Sequence, residues 1–312
     1  MKIYNSLEEI DHIEETVVAL GNFDGVHKGH QEIIRRCVNA ALSSGHKSAV
    51  FTFANHPRNL LADDTIVKNI MYKEEKAQII ESYGVDYLFN IPFDKHILTM
   101  DPIDFIDNIL INTFHMKEAY CGFNYRFGYK AMGTPVTLME EGIKKDFGIH
   151  IMRPFFVDGQ LVSSSFIRQL IEMGSVNECM KYMGRNYAIK GEVVVGNKIG
   201  RTIGFPTSNI VIDETMVTPP NGVYVTNCLL DGAIYPSVTN VGVKPTIGTY
   251  EKNVETHIFN FNKELYGAHI KVEFLDKMRE ERKFESVEAL SEQIQRDCEE
   301  AKNYHIQLGK VL

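Results

Sequence analysis

The sequence lacks several features that would by themselves indicate a class of protein. No apolar run is long enough to cross a bilayer, and the first residues lack the apolar core of a signal peptide. The five cysteines are scattered, and no two have the C-x-x-C spacing of a metal site. No glycine-rich loop ends in Gly-Lys-Ser or Gly-Lys-Thr, which excludes a P-loop. We therefore expect a cytoplasmic protein with reduced thiols and no membrane partner.

An excess of basic charge is also missing. The 33 Lys and Arg residues are outnumbered by 41 Asp and Glu residues, which gives a net charge of −8. A protein that binds nucleic acid broadly needs a basic surface, so we expect no nucleic-acid partner. The same balance still allows a local basic pocket around a small phosphate ligand. The length of 312 residues predicts two domains, and we expect a monomer or a weak homo-oligomer.

The first half of the chain alternates between strand-like and helix-like segments. Short apolar runs are separated by segments in which apolar residues recur at helical spacing. This alternation predicts a Rossmann-like α/β domain, with a mostly parallel sheet and helices on both faces. The predicted strands are residues 16–20, 47–53, 85–89, 118–122 and 150–154, and the predicted helices include residues 73–83, 102–113 and 135–147.

The character of the sequence changes near residues 180–188. From Tyr187 onward, short β-rich runs are separated by Gly, Pro and Asn, which predicts an antiparallel β-barrel or sandwich. Ser286 is a suitable N-cap for a terminal helix. We therefore expect an α/β domain of residues 1–184 and an antiparallel β-barrel domain with a terminal helix, residues 185–312.

The most informative segment is the loop GNFDGVHKGH at residues 21–30. It follows a predicted buried strand and precedes a predicted helix. A glycine-rich turn alone also closes ordinary strand–helix connections. Two histidines one turn apart at a helix start, His27 and His30, favour a phosphate site, because free N–H groups and the positive helix end bind anions there. The side-chain amide of Asn22 can add another donor to an oxyanion.

Two further segments of the first half are candidate binding segments. Residues 163–168 read SSSFIR, and their hydroxyls can cap a helix or, with Arg168, form a second anion site. Residues 122–130 interleave aromatic rings with Arg126 and Lys130. They can stack on a planar ring and neutralise phosphate, or they can end a strand in a solvated basic loop.

A glycine-rich segment at residues 196–209 is the main candidate in the second half. It is either a flexible hairpin loop or a phosphate-binding loop, because glycine lets the backbone approach phosphate closely. Thr207 and Asn209 would point the same way in an extended segment, and such oxygens suit Mg²⁺. Glu255 is either an outward-facing strand acid or a buried carboxylate with a chemical task.

Together these segments resemble one family, the bacterial bifunctional riboflavin kinases/FMN adenylyltransferases (FAD synthetases). HKGH at residues 27–30 is similar to the HxGH signature of the nucleotidyltransferase module, and residues 163–168 are similar to its serine-rich segment. The sequence departs from the family pattern at Asn55, Ser208 and Asn260. The motifs of the kinase module are matched by GFPTSN at 204–209, NVGVKPT at 240–246, Glu255 with His257, LYG at 265–267, and Arg279 with Glu281 and Phe284.

The resemblance implies a two-step synthesis of FAD from riboflavin. ATP, riboflavin and FMN would be the substrates, FAD the product, and Mg²⁺ the metal, held by Thr207 and Asn209. Glu255 would be the general base of the kinase step. The implied catalytic donors of adenylyl transfer are His27, His30, Asn22 and Arg168. The implied nucleotide- and flavin-binding residues are Gly21, Phe23, Asp24, Gly29, Asn124, Ser163, Ser164, Ser165, Gly196, Lys198, Gly200, Arg201, Gly204, Pro206 and Arg279.

Three other functions stay open at this level. Asn55 and Asn260 are consistent with an enzyme that retains only one of the two activities. A flavin-binding regulatory protein would keep both pockets without turnover, and the first domain alone would be able to transfer a nucleotide to another phosphate ester. The intact histidine pair and Glu255 favour the bifunctional enzyme.

Overall fold

The chain folds into two compact units. The computed structural model describes residues 1–61, 67–196, 200, 203–246 and 249–309. The first unit comprises Met1–Ser164 and the second Ser165–Leu312. The change in sequence character falls about twenty residues later than this division. The predicted domain boundary between residues 184 and 185 therefore stays a prediction.

A six-stranded parallel sheet forms the centre of the first unit and confirms the predicted α/β class. The strand order is β1-β4-β3-β2-β5-β6, and every neighbouring pair is parallel. β2 is buried along its whole length, as expected for a strand that is covered on both faces. The strands are β1 Lys2–Tyr4, β2 Thr16–Leu20, β3 Lys47–Phe53, β4 Tyr87–Ile91, β5 Met116–Gly122 and β6 Gly148–Met152, followed by a small hairpin of β7 Phe156–Val157 and β8 Gln160–Leu161.

Side chains alternate across this sheet and pack into two separate cores. On β2, Val18 and Leu20 belong to one apolar cluster, whereas Val17 and Ala19 belong to the other. The helix α1, Lys28–Ser44, covers the second cluster with its buried apolar stripe and ends at Gly45, which has a left-handed conformation. The two cores fix β2, and with it the start of the loop that follows.

One helix of the first unit differs from its prediction. The segment expected to be a helix over residues 102–113 is α-helical only over α5, Pro102–Asp104, and continues as a π-helix over Phe105–Thr113. The Phe114 N–H donates to the carbonyl five residues back, at 2.9 Å. The spacing of the apolar residues predicts a helix here but does not distinguish an α-helix from the wider π-helix. The other helices of this unit are α2 Pro57–Leu61, α3 Lys73–Ser82, α4 Lys95–Thr99 and α6 Pro135–Lys145.

A closed, six-stranded antiparallel barrel forms the second unit, which confirms the predicted barrel. The strand order around it is β10-β13-β12-β11-β14-β9. Closure removes the open sheet edges at which strands of other chains could pair. β12 continues through Gly242 as far as Thr246. The strands are β9 Tyr187–Val194, β10 Ser208–Val211, β11 Gly222–Leu230, β12 Ala233–Thr246, β13 Thr249–Ile258 and β14 His269–Arg279.

The predicted terminal helix is present and packs on this barrel. It is α9, Val287–Gln307, and the hydroxyl of its N-cap Ser286 accepts a hydrogen bond from the Ala289 N–H at 3.2 Å. Its buried Cys298 and Ala301 join an apolar cluster with side chains of β11 and β12. Two shorter helices, α7 Ser164–Glu172 and α8 Cys179–Met183, precede the barrel in the chain.

The cysteines are core residues. Each of the five is buried and has a free thiol. Burial raises the pKa of the Cys37 thiol to about 12, so this group stays protonated at neutral pH and behaves as a small apolar side chain. Within the described ranges, we find no helix with the length and apolarity needed to cross a membrane.

Candidate active sites

The loop at residues 21–27 begins where the strand order of the sheet reverses. β2 lies between β3 and β5, so the carboxyl ends of three parallel strands meet at this point. Open α/β sheets bind their ligands in the crevice outside such strand ends. Gly21 and the exposed Asn22 form the first turn of the loop. The structure therefore brings both predicted residues to the edge where a ligand is expected.

The loop is held in an unusual backbone conformation. Phe23 and Val26 both have positive φ angles, 48° and 29°, which are rare for residues other than glycine. Strained backbone conformations of this kind occur only where the surrounding contacts hold them in place, and they are concentrated at functional sites. Here the Thr52 hydroxyl donates to the Asn22 carbonyl at 2.8 Å, and the Ile70 N–H donates to the Asp24 carboxylate at 3.0 Å.

The two histidines lie together at the start of α1. His27 is the N-cap, and its Nδ1 accepts a hydrogen bond from the His30 N–H at 3.2 Å. The imidazole rings are stacked with their centroids 3.6 Å apart, and the Phe23 ring packs edge-on against His30. A Cβ on Gly29 would lie 3.3 Å from the His27 ring, so glycine leaves room for this stack. The first turn of α1 carries no acidic residue, which suits an anion at this helix end.

Asn124 reaches the same edge from another strand. It follows β5, the neighbour of β2, in a turn closed by the Tyr125 N–H and the Gly122 carbonyl at 3.0 Å. Burial raises the pKa of the Tyr125 hydroxyl, so this phenol stays neutral. The aromatic segment therefore contributes the partly buried ring of Tyr125 next to the exposed Asn124.

The serine segment, residues 163–168, lies at the start of α7. α7 begins at Ser164, with Ser163 before it, and Ser165 and Arg168 lie in its first turns. The Ser164 hydroxyl donates to the Asp24 carbonyl at 2.8 Å. This hydrogen bond supports the loop at residues 21–27. The ligand roles of Ser163, Ser164, Ser165 and Arg168 stay predictions.

Asn55, one of the departures from the family pattern, is held by two hydrogen bonds to the backbone of Phe93. Its Nδ2 donates to the Phe93 carbonyl at 2.9 Å, and its Oδ1 accepts from the Phe93 N–H at 2.7 Å. Proline would fix the backbone at this position, whereas asparagine fixes it with two side-chain hydrogen bonds. The turn after β3 is therefore still constrained.

In the barrel, the register of two strands brings Asn209 and Glu255 together. Asn209 on β10 pairs directly with Glu255 on β13. Directly opposite residues of an antiparallel pair project to the same side of the sheet and lie within reach of each other. The predicted metal ligand and the predicted base therefore share one face of the barrel.

Asn253 links these two side chains, and the sequence interpretation missed it. Its Nδ2 donates to Glu255 Oε1 at 3.0 Å and to Asn209 Oδ1 at 3.3 Å. Because both neighbours present oxygen acceptors, the amide nitrogen must face them. Asn253 is only 6% exposed, and its Oδ1 has no hydrogen-bond partner among the described residues. The period of two along β13 was a signal that would have placed it beside Glu255.

The segment before β10 lines a cleft of about 330 Å³. Pro206, Thr207, Asn209 and Tyr266 are among the residues that line this cleft. His257, two residues after Glu255, hydrogen-bonds through Nδ1 to the Pro206 carbonyl at 2.8 Å. Burial lowers the pKa of His257, so the neutral ring holds this carbonyl at physiological pH. The Glu-x-His pattern therefore combines a carboxylate with a side chain that holds the cleft-lining Pro206.

The absence of a side chain at Gly196 leaves room for Asn209. A Cβ there would lie 2.6 Å from Asn209 Nδ2, closer than any real contact allows. The Gly200 carbonyl accepts from the Phe205 N–H at 2.7 Å, and Gly204 has a φ of 88°. These contacts fold the segment back onto itself. Lys198 and Arg201, two predicted binding residues, lie outside the described residues.

Two further residues that the sequence analysis singled out, Arg279 and Asn260, have defined places in the fold. Arg279, at the end of β14, forms a bidentate ion pair with the buried Asp297 of α9, with its shortest contact at 2.6 Å. This pair ties α9 to the barrel, and a ligand role of Arg279 stays a prediction. Asn260 has a φ of 54° in the turn after β13, a conformation that asparagine tolerates well.

The donor set near Thr207 fits a magnesium ion that is shared with phosphate. A hydroxyl and a side-chain amide supply hard oxygen ligands, which Mg²⁺ prefers. Among the described residues, no three His, Cys, Asp or Glu side chains converge on one point. Mg²⁺ commonly binds through one or two protein oxygens together with water and substrate phosphates, so these few ligands are sufficient.

Comparison with known proteins agrees with the two-site architecture. The FAD synthetase family matches residues 9–166, and the riboflavin kinase family matches residues 183–305. The bifunctional riboflavin kinase/FMN adenylyltransferase of Bacillus subtilis is 37% identical over 95% of this chain and 94% of its own length. The protein of the same name from Haemophilus influenzae is 34% identical over 94% and 95%. This chain belongs to the bifunctional riboflavin kinase/FMN adenylyltransferase family.

The fold of this family member is also shared with a solved structure. A crystal structure described as a macrolide-efflux protein from Streptococcus pneumoniae is 32% identical and has a TM-score of 0.88. The similarity covers 96% of this chain and 98% of the pneumococcal chain. As a bifunctional riboflavin kinase/FMN adenylyltransferase, the chain has its histidine pair within the FAD synthetase match and Glu255 within the riboflavin kinase match.

Proposed function

We propose that this chain phosphorylates riboflavin to FMN and then transfers AMP from ATP to FMN, with release of pyrophosphate. The adenylyltransferase domain is assigned to residues 1–184 and the kinase domain to residues 185–312. The observation that carries the proposal is the cross-strand pair of Asn209 and Glu255, joined by Asn253 beside the cleft. The stacked histidines at the start of α1 support the second activity.

In the kinase step, Glu255 is the general base. Its carboxylate accepts the proton of the riboflavin 5′-hydroxyl as the oxygen attacks the γ-phosphorus of ATP, and ADP leaves. Phosphoryl transfer depends mainly on positioning and on neutralisation of charge, so one base and a few fixed oxygens are sufficient. Thr207 and Asn209 would hold Mg²⁺, and the bound metal would neutralise the charge of the ATP phosphates.

Asn253 is a positioning residue for this step. Its amide nitrogen fixes the Glu255 carboxylate relative to Asn209, and thus fixes the base relative to the phosphates. Correct orientation of a base and a nucleophile is worth large factors in rate. Gly196, Gly200, Gly204 and Pro206 shape the loop over the nucleotide, and Lys198 and Arg201 are assigned to its phosphates.

In the adenylyltransferase step, the FMN phosphate attacks the α-phosphorus of ATP. This nucleophile is already anionic at neutral pH, so the step needs orientation and hydrogen-bond donors more than a base. His27, His30, Asn22 and Arg168 supply those donors, together with the N-terminus of α1. Gly29 allows the histidine stack, and Asn124 binds at the neighbouring strand end. Phe23, Asp24 and Ser164 support the loop.

The setting of the reaction follows from composition. We assign a cytoplasmic location, a monomeric or weakly oligomeric state, and no nucleic-acid partner. The buried free thiols suit a reducing compartment, and the net charge of −8 disfavours a polyanion as partner.

Separation of products tests the proposal directly. Purified protein is incubated with riboflavin and MgATP, and separately with FMN and MgATP, and flavins are resolved by chromatography. We expect FMN followed by FAD in the first reaction and FAD in the second. FMN as the final product, or FAD only from supplied FMN, would reduce the chain to one activity. Flavin binding with no release of ADP or pyrophosphate would instead indicate a regulatory protein.

A further inference from the structure

Lys76 is a buried cation that the mechanism above does not use. It lies on α3, the helix that precedes β4, and the whole residue is only 8% exposed. Lysine is almost never buried to this degree unless it is paired, because taking the ammonium group out of water is costly. Its position therefore calls for a specific interaction.

The protein supplies only part of that interaction. The ammonium donates to Thr52 Oγ1 at 3.2 Å and to the Phe53 carbonyl at 3.1 Å, both at the end of β3. These two hydrogen bonds use two of the three N–H groups of an ammonium ion. Both acceptors are neutral, so neither balances the positive charge.

The remaining side of Lys76 borders the crevice at the strand ends. It lines one cleft with Asn22, Asp24, His56, Asn69 and Lys73. Through Thr52, whose hydroxyl donates to the Asn22 carbonyl at 2.8 Å, Lys76 is also linked to the loop at residues 21–27. A cation at this place is held by the end of β3, whose Thr52 also holds the candidate adenylyltransferase loop that follows β2.

We propose that Lys76 binds a substrate phosphate in the adenylyltransferase site, with its third N–H donating to a phosphate oxygen. This inference rests on the proposed function of the first domain. The group bound is a phosphate of either FMN or ATP, because both substrates bring phosphate to this crevice. An anion there supplies the negative charge that Thr52 and Phe53 do not provide.

The charge state of Lys76 agrees with this role. Burial lowers the pKa of its ammonium to about 8, and the charge of Asp24 compensates only in part. His56, Lys73 and Asp24 are the other titratable groups that line the cleft. A buried lysine with a lowered pKa in a cleft is typical of functional sites. A phosphate ligand would favour the charged form and raise this pKa.

Two substitutions separate a phosphate contact from a structural role. Lys76→Gln keeps a side-chain N–H donor that can reach Thr52 and Phe53 but removes the charge, and Lys76→Met removes both. Lys95→Gln, at an exposed lysine of α4, is the matched control. KM and kcat are measured for FMN and for MgATP in FAD formation, and riboflavin phosphorylation is measured in the same preparations.

We expect Lys76→Gln and Lys76→Met to raise KM for one phosphate substrate by about 10- to 100-fold, the usual effect of losing a hydrogen bond to a charged group. A rise confined to FMN identifies the flavin phosphate, and a rise confined to MgATP identifies the nucleotide. The wild type should also lose kcat/KM for FAD formation above about pH 8, and Lys76→Gln should lack that limb. Lys95→Gln and the kinase activity of all variants should be unchanged.

Wild-type KM values in Lys76→Gln would overturn the proposal, because hydrogen bonding to Thr52 and Phe53 would then be the whole role of Lys76. The same holds if Lys76→Gln keeps the pH limb. Failure of the underlying function gives a different result: the wild-type protein itself would then form no FAD from FMN and MgATP.

Discussion

The two candidate sites place charge in opposite ways. In the first unit, a histidine stack lies at a helix N-terminus, and the buried Lys76 lines a cleft with Asn22 and Asp24 of the adjoining loop. In the barrel, the Glu255 carboxylate is held by the neutral amide of Asn253, opposite Asn209. Both sites are proposed to act on ATP, so the ATP phosphates alone do not explain the difference.

The difference matches the two proposed nucleophiles. A riboflavin hydroxyl is neutral and must lose a proton, so its site needs a base. An FMN phosphate is already anionic, so its site needs donors and positive charge. The comparison teaches that the protonation state of the nucleophile decides which residue types a phosphate-transfer site contains.

The largest expected effect comes from removing the base. Glu255→Gln keeps the size of the side chain but cannot accept the proton, so riboflavin phosphorylation should fall by about 10²- to 10⁴-fold in kcat. FAD formation from supplied FMN should keep its wild-type rate. Glu273→Gln, at a β14 acid that pairs with Lys271, is the matched control and should retain both activities. Wild-type kinase turnover in Glu255→Gln would remove Glu255 from the mechanism.

The next effect concerns the position of Asn209. In Gly196→Ala, the new methyl group would collide with the Asn209 amide, so we expect the Asn209 side chain to leave its present position opposite Glu255. Displacement of a catalytic group by about 1 Å can cost roughly 10²-fold in rate, and we expect a kinase loss of that order. Kinetics at varied Mg²⁺ concentration should show weaker Mg²⁺ binding, so the variant should need more Mg²⁺ for half-maximal kinase activity. A variant with unchanged kinase kinetics would show that Asn209 is not held where the mechanism needs it.

A smaller effect is expected at Asn253. Asn253→Ala removes the donor to Glu255 and Asn209, and the loss of one such hydrogen bond should lower kinase kcat about tenfold. Because Asn253 acts through Glu255, KM for riboflavin should change little. In the double variant with Glu255→Gln, the alanine should have almost no further effect, since the two residues act as a unit. Additive losses would contradict a positioning role.

The smallest effect concerns stability. Below pH 8 the folded protein carries a charged, buried Lys76, whose lowered pKa means that burial opposes folding there. Lys76→Met removes this cost but leaves two acceptors without their donor, so the free energy of unfolding at pH 7 should rise by about 1–2 kcal/mol. Chemical denaturation measures it.

The sign of the pH effect follows from the same shift. Between about pH 8 and the ordinary lysine pKa of the unfolded chain, the unfolded state binds more protons, so wild-type stability should rise with pH. The gap between the wild type and Lys76→Met should therefore narrow above pH 8. A Lys76→Met protein that is less stable than the wild type at pH 7 would show that the lysine is retained for stability, not for phosphate.

Much of the fold and part of each site could be predicted because the signals are local. The alternation of strands and helices, the loop at residues 21–30 and the N-cap Ser286 are read from neighbouring residues. The π-helix over Phe105–Thr113 could not be read in this way, since its apolar spacing also fits an α-helix.

The residues that were missed depend on long-range packing. Asn253 gains its meaning from the register of β10 on β13, which places Asn209 opposite Glu255. In the sequence, Lys76 is only one more polar residue of a predicted helix. The packing of α3 against the end of β3 is what shows that its ammonium group is buried. The contact of Ser164 with the loop also could not be read from the sequence, because its acceptor, the Asp24 carbonyl, is 140 residues away in the chain.

A crossed substrate experiment with two variants tests the contrast between the sites most directly. Glu255→Gln and His30→Ala are each given riboflavin with MgATP and, separately, FMN with MgATP, and the flavin products are quantified over time. Glu255→Gln should form FMN from riboflavin only at a greatly reduced rate but should convert FMN to FAD, whereas His30→Ala should accumulate FMN and form little FAD from either substrate. FAD formation by His30→Ala at the wild-type rate, or FMN formation by Glu255→Gln at the wild-type rate, would contradict the account.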